Sequence, residues 1–241
     1  MRGRVLVTRP EPAASATARL LAEAGFSPIV LPLSQTRPLP VDADTLPDHM
    51  DAVAVTSANA IRHAPAELVA ALHVRRCLAV GRKTAKAARD AGFGLVTEGP
   101  GDASGLAAMI AAELPTGARI TYLTGRVRMP EFERTLAGAG YRLDVIETYD
   151  TCPAEHSAET LSGLPKDTPI DAVLLYSAKA AEAFSALAKE DPRLASACCL
   201  CLSGRVAEAL QGAQSEKIFV ADEPSEKALM ALLEAVCRPT S

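Results

Sequence analysis

Hydroxyls and cations recur in this chain directly behind short aliphatic runs. Thr8-Arg9 follows Val5-Leu6-Val7, and Thr124-Gly125-Arg126 follows a second such run, with Arg128 close behind. Thr56-Ser57-Ala58-Asn59 follows Val53-Ala54-Val55, and Tyr176-Ser177-Ala178-Lys179 follows Val173-Leu174-Leu175. A third pair reads Gly81-Arg82-Lys83-Thr84 and Ser203-Gly204-Arg205. Hydroxyls, guanidinium forks and free backbone amides at helix starts are the groups that hold carboxylates and phosphates. Arg9, Arg82, Lys83, Arg126, Lys179 and Arg205, gathered along the edges of one cleft, suit a polyanion better than a single phosphate. The plainer alternative is six ordinary surface cations. A net charge of −4 argues against nucleic acid, whose phosphates call for clustered Lys and Arg.

Few residues offer proton transfer. Tyr149 stands apart among four tyrosines because it lies in an extended connecting stretch, 142–153, facing the expected cleft. A phenol is still protonated at neutral pH and can donate to a leaving group; an aromatic packed between domains explains the residue equally well. His49, His63, His73 and His156 are scattered and propose no triad. Gly99-Pro100-Gly101 lacks the surroundings of a phosphate-binding glycine loop, and no G-x-S-x-G elbow is present. Hydride transfer and hydrolysis thus lack their usual parts, and no cofactor is expected. Six cysteines lack zinc-site spacing. Cys199 and Cys201 share one face of a strand read over 195–202, about 7 Å apart. A metal there needs two further ligands, with His156 the only one nearby, so buried thiols are expected and no metal.

The elements that must position these groups alternate. Strands are expected over 5–8, 53–57, 77–80, 95–97, 120–124, 173–177, 199–203 and 218–220. Helices are expected over 12–24, 58–72, 84–91, 104–114, 130–139, 178–189, 205–211 and 225–237. Unalternating apolar runs suit parallel strands covered on both faces, and the β-α rhythm gives doubly wound sheets. The chain also repeats itself. Asp51-Ala-Val-Ala-Val-Thr-Ser-Ala-Asn-Ala60 returns 120 positions on (171 − 51) as Asp171-Ala-Val-Leu-Leu-Tyr-Ser-Ala-Lys-Ala180. Arg4-Val-Leu-Val returns near Arg119, and Gly25 returns as Gly140, 115 positions on (140 − 25). Two copies in 241 residues indicate two similar domains with a cleft between them, where ligands of such sheets bind beyond the strands' carboxyl ends. Proline-rich 28–40 and extended 142–153 break the rhythm at matching places. Each is either a second strand of its sheet, an inter-domain bridge, or one half of each.

Hydrophobic residues make up 49% and aromatics 4%, with no Trp, so the cores are aliphatic. The longest apolar runs, such as 103–114, are too short to span a bilayer. The N-terminus lacks a signal-peptide stretch, so a cytoplasmic protein with no membrane partner is expected; a monomer is expected as well.

Together the segments Val5-Leu-Val-Thr-Arg-Pro-Glu11, Leu31-Pro-Leu33, Val55-Thr-Ser-Ala-Asn59, Ala79-Val-Gly-Arg-Lys-Thr-Ala85, Tyr122-Leu-Thr-Gly-Arg126 and Glu147-Thr-Tyr-Asp-Thr151 resemble the uroporphyrinogen-III synthase family in order and spacing, over nearly the whole chain. The resemblance implies two flavodoxin-like, doubly wound parallel-sheet domains joined by a two-stranded linker. It implies domains of 1–33 plus 152–241 and of 40–146, with linker strands 34–39 and 147–151. The implied reaction closes hydroxymethylbilane, a linear tetrapyrrole with eight carboxylates, inverting the last pyrrole ring and losing water. The terminal hydroxyl leaves, an azafulvene-type cation adds at the substituted carbon of the last ring, and a spiro intermediate fragments and recloses. The same substrate closes spontaneously without inversion, so the enzyme must chiefly impose a fold on it.

Tyr149 falls on the family's linker tyrosine, the implied proton donor to the leaving hydroxyl. Thr56, Ser57, Asn59, Gly81, Thr84, Thr124, Gly125, Ser177 and Ser203 are the implied substrate-binding residues, with Arg9, Arg126, Lys179 and Arg205 as charge partners. One departure is Val206, which stands where the first copy has Thr84, so Arg205 or Ser203 is expected to substitute. Two rivals share the architecture: a two-domain binder of a polyanionic small molecule, and a nucleotide or phosphate enzyme on a flavodoxin-like fold.

Overall fold

Aliphatic runs form the strands of two sheets in a computed structural model that describes residues 2–42, 46–128, 130–154, 156, 169–210 and 217–237. The chain divides into two compact units, Met1–Gln35 with Cys152–Ser241, and Thr36–Thr151. In the first unit the strands are β1 (Arg4–Val7), β2 (Ser27–Val30), β9 (Ala172–Leu175), β10 (Cys198–Cys201) and β11 (Ile218–Val220), in the order β11-β10-β9-β1-β2. In the second, β4 (Ala52–Val55), β5 (Arg76–Ala79), β6 (Leu95–Glu98), β7 (Arg119–Gly125) and β8 (Arg142–Pro153) take the order β8-β7-β4-β5-β6, with β3 (Ser34–Pro38) beside β8. The neighbours β1 to β2, β9, β10 and β11, and β4 to β8, pair in parallel.

The repeat is visible in the register. Val5 pairs with Ala172 in one sheet, and Ile120 pairs with Ala52 in the other. Each pairing joins the opening strand of one copy (β1 or β7) to the strand of the other copy that carries the repeated Asp-Ala-Val segment (β9 or β4). The repeated aspartates fix this register at the strand starts: Asp171 Oδ2 accepts the Arg4 amide at 2.7 Å, and Asp51 Oδ2 accepts the Arg119 amide at 2.8 Å. Their recurrence is structural, since they sit at the opposite strand ends from the hydroxyls.

Alternation along each strand divides the core into layers. Val173, Leu175, Cys199 and Cys201 face α7 (Ala178–Glu190), α8 (Pro192–Ala195) and α9 (Gly204–Glu208), while Val5, Val7, Leu174 and Leu200 face α1 (Ala13–Glu23) and α10 (Glu226–Val236). In the second unit Val53, Val55, Cys77 and Leu123 face α2 (Ala58–Arg62), α3 (Ala66–Leu72) and α4 (Arg82–Asp90). Ala54, Leu78, Ile120 and Tyr122 face α5 (Ala103–Glu113) and α6 (Glu131–Gly138). Each fully buried aliphatic side chain contributes about 1.5–3 kcal/mol. Burial also pushes the Cys199 thiol up to about 11 and the Cys201 thiol to about 12, so both stay protonated and packed.

Three expectations change. The single helix over 58–72 is two, because Pro65 has no amide to continue the first and instead precedes the second. The helix expected from Thr84 begins at Arg82, with Gly81 as its N-cap. The start of the expected strand at 195 is the end of α8, opened by Asp191 capping the Arg193 amide. The helix expected over 205–211 spans Gly204–Glu208 with Ala209 as its C-cap, and residue 211 lies outside the described residues. No described helix is long and apolar enough to cross a membrane.

Candidate active site

At the carboxyl end of β4 the chain passes through Thr56 and Ser57 before α2. Ser57 caps that helix, accepting the Asn59 amide at 3.2 Å, and it also accepts from the Tyr149 hydroxyl at 3.2 Å. Asn59 Oδ1 is occupied by Arg62 at 3.1 Å. Thr56 Oγ1 lies 2.7 Å from the Tyr122 hydroxyl, which accepts from Thr124 Oγ1 at 3.2 Å. Tyr122 and Thr124 are each 2% exposed, and Thr56 is half-buried.

A local irregularity delivers Tyr149. The β7–β8 register shifts between Thr124 and Gly125: Thr124 pairs with Glu147, and Gly125 with Tyr149. The extra residue is Thr148, and a bulge of this kind re-aims the side chain that follows it. Thr148 and Tyr149 therefore both face α2, where Thr148 Oγ1 donates to the Ala60 carbonyl at 2.8 Å. Glu147 and Asp150 turn to the cations. The Tyr149 ring is 9% exposed and stacks on His63, centroids 5.7 Å apart. It lies so close over Gly125 that a Cβ there would sit 2.6 Å from its Cζ. The Tyr149 ring is thus packed against residues of its own unit, and its hydroxyl reaches the strand-end serine.

Around this edge the charges are arranged in a network. Arg126 Nε donates to Glu147 at 3.2 Å, and its Nη1 lies 3.6 Å from Asp150. Arg128 donates to Glu133 at 2.5 Å and to Glu147 at 2.6 Å. The Arg128 and then Arg126 guanidiniums hold the Glu147 carboxyl below its ordinary value. The Arg126 side chain remains 55% exposed. His63 Nε2 lies 2.8 Å from Thr36 Oγ1, and burial, then the neighbouring Arg62 charge, holds its imidazole below the ordinary value. Gly81 is buried, and a Cβ there would press to 3.0 Å on Gly101, so its turn is tight for packing reasons. Thr84 is 5% exposed on the inner side of α4.

The first unit's strand ends are built differently. Arg9 pairs with Glu226, donates to Thr17 at 3.3 Å and stacks on the Tyr176 ring at 4.2 Å. Glu226 also accepts from Thr17 at 2.8 Å and from Tyr176 at 2.9 Å. Burial chiefly raises the Tyr176 phenol above its ordinary value. Arg9, offered by the sequence as an outward cation, is bound inward between α1 and α10. Ser177 caps α7 by accepting the Ala180 amide at 3.2 Å, as Ser57 does in its copy. Lys179 and Arg205 are exposed, and Ser203 precedes α9 without a side-chain cap. Val206 is 4% exposed and belongs to the apolar core. Thr84 and Val206 thus share a buried helix position, and replacing the hydroxyl with a methyl suits the apolar surroundings.

Tyr122 and Glu226 are the residues that sequence reasoning missed. Tyr122 sits inside an apolar run, and only the β4–β7 register brings it to Thr56; Glu226 is 217 positions from Arg9. A groove of about 630 Å3 beside α2, α3 and α4, lined by Ile61, Val69, Ala87 and Asp90, contains none of these strand-end hydroxyls. Among the described residues no group of three or more His, Cys, Asp or Glu is placed to hold a metal ion.

Two α/β units, each built on a parallel sheet with hydroxyls at its strand ends, define the class of doubly wound proteins. The model of the family described as uroporphyrinogen-III synthase HemD matches residues 15–231. The chain belongs to the uroporphyrinogen-III synthase family, cyclising lyases of tetrapyrrole biosynthesis. In fold it is similar to the uroporphyrinogen-III synthetase of Helicobacter pylori, with TM-score 0.65 and 18% identity over 98% of this chain and 99% of that one. It is also similar to a mutant uroporphyrinogen III synthase of Thermus thermophilus, with TM-score 0.54 and 23% identity over 97% of each. No curated protein sequence matches the chain.

Proposed function

We propose that this protein closes hydroxymethylbilane to uroporphyrinogen III with Tyr149 as the acid that releases water. The observation that carries this reading is the Tyr149 side chain. Its ring is clamped by Gly125 and His63, and its hydroxyl is set on Ser57 at a strand end. The phenol proton passes to the departing hydroxyl as the carbon–oxygen bond breaks, and water leaves. The pyrrole nitrogen stabilises the cation that remains. The cation adds at the substituted α-carbon of the last ring to give a spiro intermediate. The bond from that carbon to its original methylene then breaks, and the freed methylene cation bonds to the ring's other α-carbon. The proton lost from that carbon returns to the phenolate, so the enzyme is unchanged.

The carboxylates of the substrate are held by Thr56, Ser57, Ser177 and Ser203 and by the exposed cations Arg126, Lys179 and Arg205. Fixing a flexible chain in the reactive fold lowers the barrier by several kcal/mol, as positioning does elsewhere. The working form is a cytoplasmic monomer of 25.2 kDa, which light scattering checks. Incubation with hydroxymethylbilane and separation of the product isomers tests the reaction. Formation of the non-inverted isomer alone, at the uncatalysed rate, sinks it. Tyr149→Phe lowers kcat by roughly 10²-fold, the lower end for general acid catalysis; an unchanged kcat removes the residue from the chemistry.

A further inference from the structure

The hydroxyls of Thr124, Tyr122 and Thr56 form a line whose inner end is closed. Thr124 is buried, so its proton needs a partner within the protein. Tyr122 Oη accepts it at 3.2 Å, while the alternative, the Gly125 carbonyl, is farther at 3.5 Å. The Tyr122 and Thr56 hydroxyls lie 2.7 Å apart, where either can donate. Because Tyr122 already accepts from Thr124 and is buried, Thr56 Oγ1 is the nearest acceptor for its own proton. A phenol is also a better donor than an aliphatic hydroxyl, which favours the same direction. Thr56 receives a hydrogen bond from inside and has one proton left to give. Its side chain is only half-buried, so a ligand can reach that proton.

We propose that Tyr122 is a positioning residue that polarises Thr56 outward as a hydrogen-bond donor for a substrate carboxylate. Chains of hydroxyls strengthen one another in one direction, and a donor already oriented loses less freedom when the anion arrives. Tyr122 itself is sealed from the substrate by its burial against Phe132, ring centroids 4.9 Å apart. It therefore acts only through Thr56. This deepens the proposed function and rests on it.

The test uses the full chain with hydroxymethylbilane. Tyr122→Phe keeps the ring and removes the link; it raises KM about 10-fold, the size of one hydrogen bond to a charged group, and leaves kcat within twofold. Thr56→Val raises KM at least as much, and Tyr122→Phe/Thr56→Val matches Thr56→Val alone, because the phenol has no other route to the substrate. Thr56→Ser keeps the wild-type KM. Independent, multiplying effects of the two substitutions overturn the proposal, as does an unchanged KM in Tyr122→Phe whose melting temperature is also unchanged. A lowered melting temperature with unchanged KM overturns it too, since packing is then the whole role. If the wild-type chain makes no uroporphyrinogen III, the proposed function fails instead, and the two failures are told apart by that control.

Discussion

The two units place different chemistry at equivalent strand ends. Thr56 in the second unit and Tyr176 in the first occupy the same point of the repeat. Around Thr56 the partners are neutral hydroxyls from β7, and in the direction proposed above the line ends in an unspent donor. Around Tyr176 the partners are a guanidinium and a carboxylate that satisfy each other, with Thr17 and the phenol filling the remaining acceptor sites of Glu226. The comparison teaches that equal counts of polar side chains are not equal capacity to bind. A closed ion cluster has little left to offer an anion, and its carboxylate repels one. An open hydroxyl line costs less to desolvate and keeps its direction.

The largest expected effect tests whether the second unit's geometry is as tight as its contacts imply. Gly125→Ala adds a Cβ 2.6 Å from the Tyr149 ring, which cannot move toward His63 without losing Ser57. The ring must turn, so kcat falls by about 10²-fold, as when a general acid is removed, with a loss of about 1–3 kcal/mol of stability from overpacking. Steady-state kinetics and urea unfolding measure the two parts. Full activity in Gly125→Ala shows that the Tyr149 pose is loose and ends the argument for clamping.

Much of this architecture is legible in the sequence, and the reason is local. Apolar runs of four residues followed by Ser, Thr or Gly specify buried strands and helix starts through short-range sterics and capping. Family order and spacing then point to Tyr149. The break at Pro65 is equally local, but the apolar pattern runs on past it and hides it. What the sequence does not display is which strands pair across the repeat. Arg9 looks like an outward cation until β1 is set beside β9, which brings Tyr176 over it and Glu226 to it. Tyr122 looks like core until β4 lies alongside β7. The Tyr149 pose depends on one bulged residue, Thr148, and no composition or period encodes that.

An intermediate effect separates Arg9 from Arg126. Arg9→Ala leaves Glu226 partly buried without its cation and costs about 1–2 kcal/mol of unfolding free energy, while KM stays within twofold. Arg126→Ala does the reverse: exposed ion pairs contribute under about 1 kcal/mol, so stability barely moves, while KM rises several-fold. Unfolding curves and kinetics on both variants read out the contrast. A KM increase in Arg9→Ala equal to that of Arg126→Ala breaks it, because Arg9 must then leave Glu226 to meet the substrate.

The smallest expected effect uses the same substitution as the largest, at the other unit's strand end. Gly204 opens α9, and a Cβ there meets nothing within 4 Å; its backbone lies outside the left-handed region. Gly204→Ala therefore narrows the unfolded ensemble without straining the fold and stabilises the protein by about 0.5 kcal/mol. The urea midpoint should rise slightly while kcat/KM stays within twofold. If KM rises instead, a substrate carboxylate approaches the Gly204 backbone too closely to tolerate a methyl group. The first unit would then bind through its main chain at Ser203-Gly204 despite its closed ion cluster, and the difference between the units would be one of donor type rather than of capacity.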